Sequence, residues 1–219
     1  MHKSIKTHMI NTIQKKTIFI TFILYIFIID CRAQKIYDID GNIYTTVSIG
    51  NQVWMNKDLN VSHFRNGDSI PEVINIRDWQ DAWLKGKPAW CYPENISLLG
   101  RNSGKLYNWY AIIDSRGLAP KGFRIPSRTD WITLISNVGN DGFLSQKFIG
   151  SGFEMSRIGY RDVLTGFSSS YDSASWWSAD LYDENNAWSI LMGEKWGPKL
   201  LPQGGILGNG IAVRCIKLN

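Results

Sequence analysis

The chain has 219 residues, with 24 Lys and Arg, 19 Asp and Glu, and three histidines. Five of the basic residues and one acid lie in the first 33 positions, so the remainder carries 19 basic against 18 acidic side chains, a net charge of +1. That balance gives no support for nucleic-acid binding. Because His63 is the only histidine beyond position 33, a histidine-rich zinc site and a pair of catalytic imidazoles are excluded by count.

The N-terminal segment has the pattern of an export signal. Four lysines in the first sixteen residues precede an apolar run over 17–29, which is short for a membrane span. Cys31 and Ala33 then occupy the −3 and −1 positions of a cleavage site before Gln34.

We therefore predict a signal peptide over residues 1–33 and one domain over residues 34–219. A retained anchor helix and a lipid on Cys31 after cleavage are the alternatives. All three place the domain outside the cytoplasm, as a secreted protein or one associated with the cell surface or outer membrane.

The predicted domain begins with turn signals. Between residues 36 and 59, an Asp-Gly pair at position 40 and a Gly-Asn pair at position 50 separate three short runs of β-branched and aromatic residues. This pattern predicts a β-meander. Residues 62–104 carry scattered tryptophans in polar sequence. They predict a long irregular segment that is held in place by its aromatic side chains.

A short helix is predicted within residues 103–113. Leu106, Trp109, Tyr110 and Ile113 are spaced so that they share one helical face.

The clearest helix start is at Ser127, which can cap the first turn, with Asp130 at the third helical position. Gly139 marks its predicted end, and residues 142–149 are predicted to add a further short helical piece. Four residues form the apolar stripe of the main helix: Trp131, Leu134, Ile135 and Val138.

From residue 150 onward the chain predicts antiparallel strands over 173–181, 186–193 and 210–218. In the first of them Trp176 and Trp177 are adjacent, and adjacent strand residues face opposite sides of a sheet. We interpret the pair as packing residues, with a binding platform as the alternative. In the last strand two sets of residues alternate: Ile211, Val213 and Cys215 against Ala212, Arg214 and Ile216.

Five motifs occur in order along the chain: DIDGNIYTTVSIGNQVWMNKDLNV, GKLYNWYAI, PKGFRIPSRTDWITLI, WWSAD and AVRCIKL. Together they resemble the Fibrobacter succinogenes major paralogous domain over nearly all of residues 36–217. That family consists of secreted or lipid-anchored bacterial surface proteins and is similar to the C-type-lectin-like superfamily, which includes the formylglycine-generating fold. The resemblance implies an α+β, C-type-lectin-like fold with short antiparallel strands, two or three short helices and long ordered loops.

The number of cysteines and the predicted export bear on whether the domain contains a disulfide. Cys91 and Cys215 are the two that remain after cleavage, and in an oxidising compartment they predict one disulfide, with two separate buried thiols as the alternative. Members of the family often have a cysteine where this chain has Ala119, so a bridge to that position is absent.

We recognise no catalytic constellation and predict that the protein is not an enzyme. A formylglycine-type oxidase, which the superfamily suggests, would need two reactive thiols close together, and Cys91 and Cys215 are far apart in sequence. That enzyme and a purely structural surface protein are the alternative functions.

The sequence favours a binding or adhesion module for a glycan or a surface protein, with membrane contact only through a lipid on Cys31. Aromatic faces beside amide and carboxylate groups suit sugar rings. No cofactor is predicted, apart from a possible calcium ion at Asp180, Asp183 and Glu184. The candidate ligand-binding residues are Trp177, Asp180, Tyr182, Asp183, Glu184, Asn185 and Asn186.

Overall fold

Short helices and short strands make up the fold. The computed structural model of the chain describes residues 35–138, 150–168, 173–193, 197–201 and 205–218. These residues belong to one compact unit, and they include four α-helices: α1 (Ile76–Leu84), α2 (Ser97–Ser103), α3 (Trp109–Ile113) and α4 (Arg128–Val138). A 3₁₀ turn spans Pro93–Asn95.

The strands of the described residues are two to nine residues long. They are β1 (Ile36–Tyr37), β2 (Ile43–Tyr44), β3 (Thr46–Ile49), β4 (Gln52–Met55), β5 (Trp90–Cys91), β6 (Leu106–Tyr107), β7 (Phe123–Arg124), β8 (Tyr160–Asp162), β9 (Gly166–Ser168), β10 (Ser173–Leu181), β11 (Ala187–Gly193), β12 (Gly197–Leu201) and β13 (Ile216–Lys217).

All of these strands pair antiparallel. One sheet has the order β3-β4-β13-β7, a second has the order β10-β11-β12, and β1–β2, β5–β6 and β8–β9 form two-stranded pairs. The turns predicted at positions 40 and 50 are confirmed, but the strands over 36–59 form two separate hairpins, β1–β2 and β3–β4, rather than one meander. The reason is that β3 and β4 belong to the sheet of β13 and β7. The coarser fold class is confirmed: a mixed α+β domain with small antiparallel sheets. The helix count differs, because the described residues contain four α-helices where two or three were expected.

Two hydrophobic cores lie on opposite sides of a middle layer of extended chain. Trp177 packs in the first core with Tyr107 and Trp109, whereas Trp176 packs in the second with Trp54 and Trp131. Both indoles of the doublet are fully buried, at 0 % exposure. The interpretation of the doublet as packing is therefore confirmed, because both faces of β10 are covered.

The C-terminal segment 211–216 runs beside β10 in the same layer. A parallel bridge joins Trp176 to Ala212, and the Trp177 amide donates to the Ala212 carbonyl at 3.1 Å. The predicted alternation holds although only Ile216–Lys217 forms a regular strand. Ile211, Val213 and Cys215 pack in the first core, while Ala212 and Ile216 pack in the second.

The second core is rich in aromatic contacts. The ring centroids of Trp54 and Trp131 are 4.8 Å apart, and those of Trp131 and Trp176 are 5.8 Å apart in a stacked arrangement. Phe153 meets Trp176 edge to face at 5.8 Å. Such tilted and edge-on pairs are the arrangements that ring quadrupoles favour.

A buried ion pair completes the second core. Asp58 accepts hydrogen bonds at Oδ1 from Arg214 Nε at 2.7 Å and from Trp176 Nε1 at 2.7 Å. The Arg214 guanidinium also donates to the carbonyls of Asn56 and Glu154 at 2.6 and 2.5 Å. Since the Asp58 and Arg214 side chains have no exposed surface, each compensates the charge of the other inside the protein.

The segment 62–104 contains more regular secondary structure than expected. Asn75 caps α1 by accepting a hydrogen bond from the Arg77 amide at 2.8 Å, and Trp79 and Ala82 form the buried face of that helix. The helix predicted within 103–113 is shorter than expected. Its first part is β6, and Ile113 is exposed.

Helix α4 begins as predicted. The Asp130 amide donates to Ser127 Oγ at 3.1 Å, and the Ser127 amide donates to the Asp130 carboxylate at 2.6 Å, which is a reciprocal capping box. Trp131, Leu134 and Val138 are buried as the stripe predicts, and α4 is the longest helix of the described residues. Gly139 and the helical piece expected over 142–149 lie outside those residues.

Replacing Ser127 by alanine is expected to lower the free energy of unfolding by about 1 kcal/mol, because the substitution leaves the Asp130 amide without its cap. Chemical denaturation measures the effect. Ser136→Ala is the matched control, since Ser136 Oγ bonds the Ile132 carbonyl on the exposed side of the same helix. Equal midpoints for wild type and Ser127→Ala would contradict the role of the cap.

Candidate functional site

The loop predicted to carry the ligand-binding residues is the turn between β10 and β11. The amides of Tyr182 and Asp183 donate to the Asn186 carbonyl at 2.8 and 3.1 Å and close the turn. The Asp183 carboxylate accepts from the amides of Asn185 and Asn186, both at 2.8 Å, and from the Asn186 side chain at 2.9 Å. These hydrogen bonds lower the pKa of Asp183, the Asn185 amide most of all.

Asp180 joins this turn to helix α4. Its Oδ2 accepts a hydrogen bond from the Arg128 amide at 2.5 Å, at the first residue of the helix. A carboxylate is favoured at a helix N-terminus, where amides point outward unpaired. The Arg128 guanidinium lies 4.4 Å from the ring centroid of Trp188 on β11, so the helix end and the hairpin form one continuous surface.

An exposed aromatic pair stands at the centre of that surface. Tyr182 is 46 % exposed, and its ring meets the half-buried Trp188 ring edge to face, with centroids 5.2 Å apart. Glu184 and Asn185 are exposed beside it. We call this the hairpin surface; its members are Arg128, Asp180, Tyr182, Glu184, Asn185 and Trp188.

The chain 205–207 braces the hairpin from behind. The Ala187 amide donates to the Gly205 carbonyl at 2.8 Å, and the Leu207 amide donates to the Asn185 carbonyl at 3.1 Å. Gly205 is required at its position, because a Cβ there would lie 2.2 Å from the Ala187 carbonyl oxygen and 2.8 Å from the Trp177 ring. The turn is therefore held in one conformation before any ligand arrives.

Trp177 does not belong to this surface, which corrects its prediction as a ligand-binding residue. Its indole nitrogen donates to the Tyr107 carbonyl at 2.8 Å inside the first core. The sequence could not show this, because the cover comes from segments distant along the chain. Conversely, sequence reasoning missed Arg128, whose only signal was its place at the start of the helix after Ser127.

The calcium site expected at Asp180, Asp183 and Glu184 is not formed by the described residues. Among them, no group of three or more His, Cys, Asp or Glu side chains lies close enough together to hold a metal ion. The physical reason is that the two aspartates have other partners: Asp180 caps α4, and Asp183 closes the turn.

The predicted disulfide between Cys91 and Cys215 is also absent, and both cysteines are free and buried. Cys91 packs in the second core and Cys215 in the first, so the middle layer separates them. Burial raises the pKa of the Cys91 thiol to about 11 and also raises that of Cys215. Buried thiols with raised pKa values are poor nucleophiles at neutral pH.

The raised thiol pKa predicts instability in alkali. Above pH 9 the unfolded chain loses the Cys91 proton while the folded chain keeps it, so the free energy of unfolding falls as the pH rises toward 11. Two pKa units correspond to about 2–3 kcal/mol. Urea unfolding is measured at intervals between about pH 8 and about pH 11. The free energy of unfolding is expected to decline less steeply with pH for Cys91→Ala than for wild type. Equal declines in the two proteins would contradict the prediction.

Comparison with known proteins identifies the family. Residues 47–217 match the Fibrobacter succinogenes major domain, which covers most of the chain, so the protein belongs to that family. No curated protein and no solved structure matches the chain.

Within the part of the chain that the structure describes, no helix is both long enough and apolar enough to span a membrane.

Proposed function

We propose that this domain is a non-catalytic binding module of an exported surface protein and that it binds a glycan at the hairpin surface. The observation that carries the proposal is the exposed Tyr182 ring set against Trp188, with charged and amide groups around the pair. The N-terminal export pattern supports the location.

The chemistry of the surface suits a sugar ring. Aromatic faces pack against the apolar C–H faces of a pyranose, while carboxylate, amide and guanidinium groups exchange hydrogen bonds with its hydroxyls. Glu184 and Asn185 offer acceptors and donors in the same turn as Tyr182. Arg128 offers donors beside Trp188.

Rigidity also favours binding. The carboxylate of Asp183 and the strand-like contacts of residues 205–207 hold the turn in place. A ligand therefore need not order the loop, and less of the interaction free energy is lost on binding.

The C-type-lectin-like assignment is part of the same proposal. Short antiparallel strands, short helices and long ordered connections agree with that superfamily. The oxidase alternative receives no support from Cys91 and Cys215, since they lie in different cores and their pKa values are raised.

Glycan-array binding of the exported protein, with and without calcium, tests the proposal. We expect selective binding in both conditions. Failure to bind any glycan, together with retained adhesion to cells, would instead favour a protein partner.

Tyr182→Ala is expected to weaken the binding of a glycan identified on the array by about 2- to 12-fold, because an aromatic contact contributes about 0.5–1.5 kcal/mol. Isothermal titration measures the dissociation constant. Leu164→Ala is the matched control, because Leu164 is a large exposed side chain in the β8–β9 turn. Unchanged affinity in Tyr182→Ala would remove the hairpin surface from the proposal.

A further inference from the structure

A second surface, on the β1–β2 hairpin, presents large apolar side chains to solvent. In the hairpin register Ile36 opposes Tyr44 and Tyr37 opposes Ile43. The first pair is buried in the first core, whereas Tyr37 and Ile43 are 58 % and 52 % exposed. Ile39 in the turn is 53 % exposed. We call Tyr37, Ile39 and Ile43 the apolar face of the hairpin.

Positive charges border this face on both sides. Tyr37 and Ile39 line a pocket of about 180 Å³ together with Arg65 and Lys121. Ile43 lines a second, more polar pocket of about 220 Å³, and the cations there are Lys57 and Arg101. All four cationic residues are exposed.

The acidic residues of these two pockets have partners inside the protein. The Asp38 carboxylate accepts from the Tyr44 hydroxyl at 2.7 Å and from the Asn42 side chain at 2.8 Å, and Asp58 is paired with Arg214. Lys57 also lies 3.9 Å from Glu154 in an exposed pair, which water and salt screen. Asp40, in the same turn, pairs with His63. By residue count, Asp38 and Asp40 stand against four cations, so the border of the apolar face has a net positive charge.

The position of the hairpin along the chain suggests what covers it. The apolar run over 17–29 ends eight residues before Tyr37. Eight extended residues span at most about 30 Å, so the retained anchor or the lipid on Cys31, the two alternatives given for the N-terminal segment, would hold the hairpin near the bilayer surface. After cleavage before Gln34, docking would depend on the hairpin and its bordering cations alone. Apolar side chains flanked by cations are the combination that binds an anionic bilayer interface.

We propose that the apolar face of the β1–β2 hairpin docks on the surface of an anionic lipid bilayer. Tyr37, Ile39 and Ile43 enter the region of the headgroups, and the four bordering cations contact lipid phosphates. The apolar face shares no residue with the hairpin surface, which β10 and β11 carry. The inference does not depend on glycan binding.

Amide hydrogen exchange on the exported protein, as the cell processes it, tests the inference. Vesicles of phosphatidylglycerol mixed with phosphatidylcholine are expected to slow exchange in residues 36–44, and vesicles of phosphatidylcholine alone are expected to slow it much less. The double variant Ile39→Ser/Ile43→Ser is expected to lose the slowing. Lys57→Gln/Lys121→Gln is expected to weaken docking by about fivefold for each lysine removed.

The matched control is Leu84→Ser/Leu164→Ser, which removes two apolar side chains, both more exposed than Ile39 and Ile43, from α1 and from the β8–β9 turn. It is expected to retain the full slowing with anionic vesicles. Unchanged exchange in the wild type overturns the inference. The inference is also overturned if the Ile39→Ser/Ile43→Ser variant keeps the slowing or if the control variant loses it. Equal slowing with both kinds of vesicle overturns it too.

Discussion

Replacing Asp58 by alanine is expected to destabilise the protein by about 3–5 kcal/mol, the range for breaking a buried ion pair. The substitution leaves the Arg214 guanidinium fully buried without its counter-charge. It also removes the acceptor of the Trp176 indole N–H. Both groups would then lose a hydrogen bond made inside the protein.

Urea denaturation of Asp58→Ala measures this loss, and failure to accumulate as folded protein would be its extreme form. The double variant Asp58→Leu/Arg214→Met distinguishes the effect of an unpaired charge from the effect of lost side-chain volume. It is expected to be more stable than Asp58→Ala, because two apolar side chains of similar size leave no unpaired charge behind. A single Asp58→Ala variant as stable as wild type would show that the pair is not needed.

Trp176→Ala and Trp177→Ala are each expected to lower the free energy of unfolding by about 3–5 kcal/mol, the usual range for deleting a large aromatic side chain from a core. Both rings are fully buried and both indole N–H groups have acceptors. The two effects are expected to be similar, because each ring fills a core on its own side of β10.

Equilibrium denaturation of the two variants measures these losses, and Tyr182→Ala is the control, because its exposed ring is expected to change stability little. The result also tests Trp177 as a ligand-binding residue. A Trp177→Ala variant that kept its stability and lost ligand affinity would contradict the packing role.

What the sequence could predict was set by local patterns. The start of α4 followed from Ser127 and Asp130 because a capping box lies within four residues. The alternation over 211–216 was also visible, since side chains of an extended segment alternate whatever covers them. Helix α1 had a weaker signal, an Asn75 cap and a buried face of Trp79 and Ala82, and was not predicted.

Long-range pairings were beyond sequence reasoning for a different physical reason. Asp58 and Arg214 are 156 residues apart, and nothing local to either one indicates that they meet. The candidate site likewise combines residues that are close in sequence with one that is distant. Tyr182, Glu184 and Asn185 follow from one loop, whereas Arg128 joins them only because Asp180 caps α4.

The neighbouring indoles of β10 also affect how the strand finds its alignment. A shift of one residue would move Trp177 into the place of Trp176, but it would also put Ser178 into the place of Trp177 and Trp176 into the place of Ser175. The first core would then lack one indole and receive another where a serine fits, so volume opposes the shift. Directional contacts oppose it as well, because one indole donates to a carboxylate and the other to a peptide carbonyl. In this strand, shape and hydrogen bonds select the same pairing.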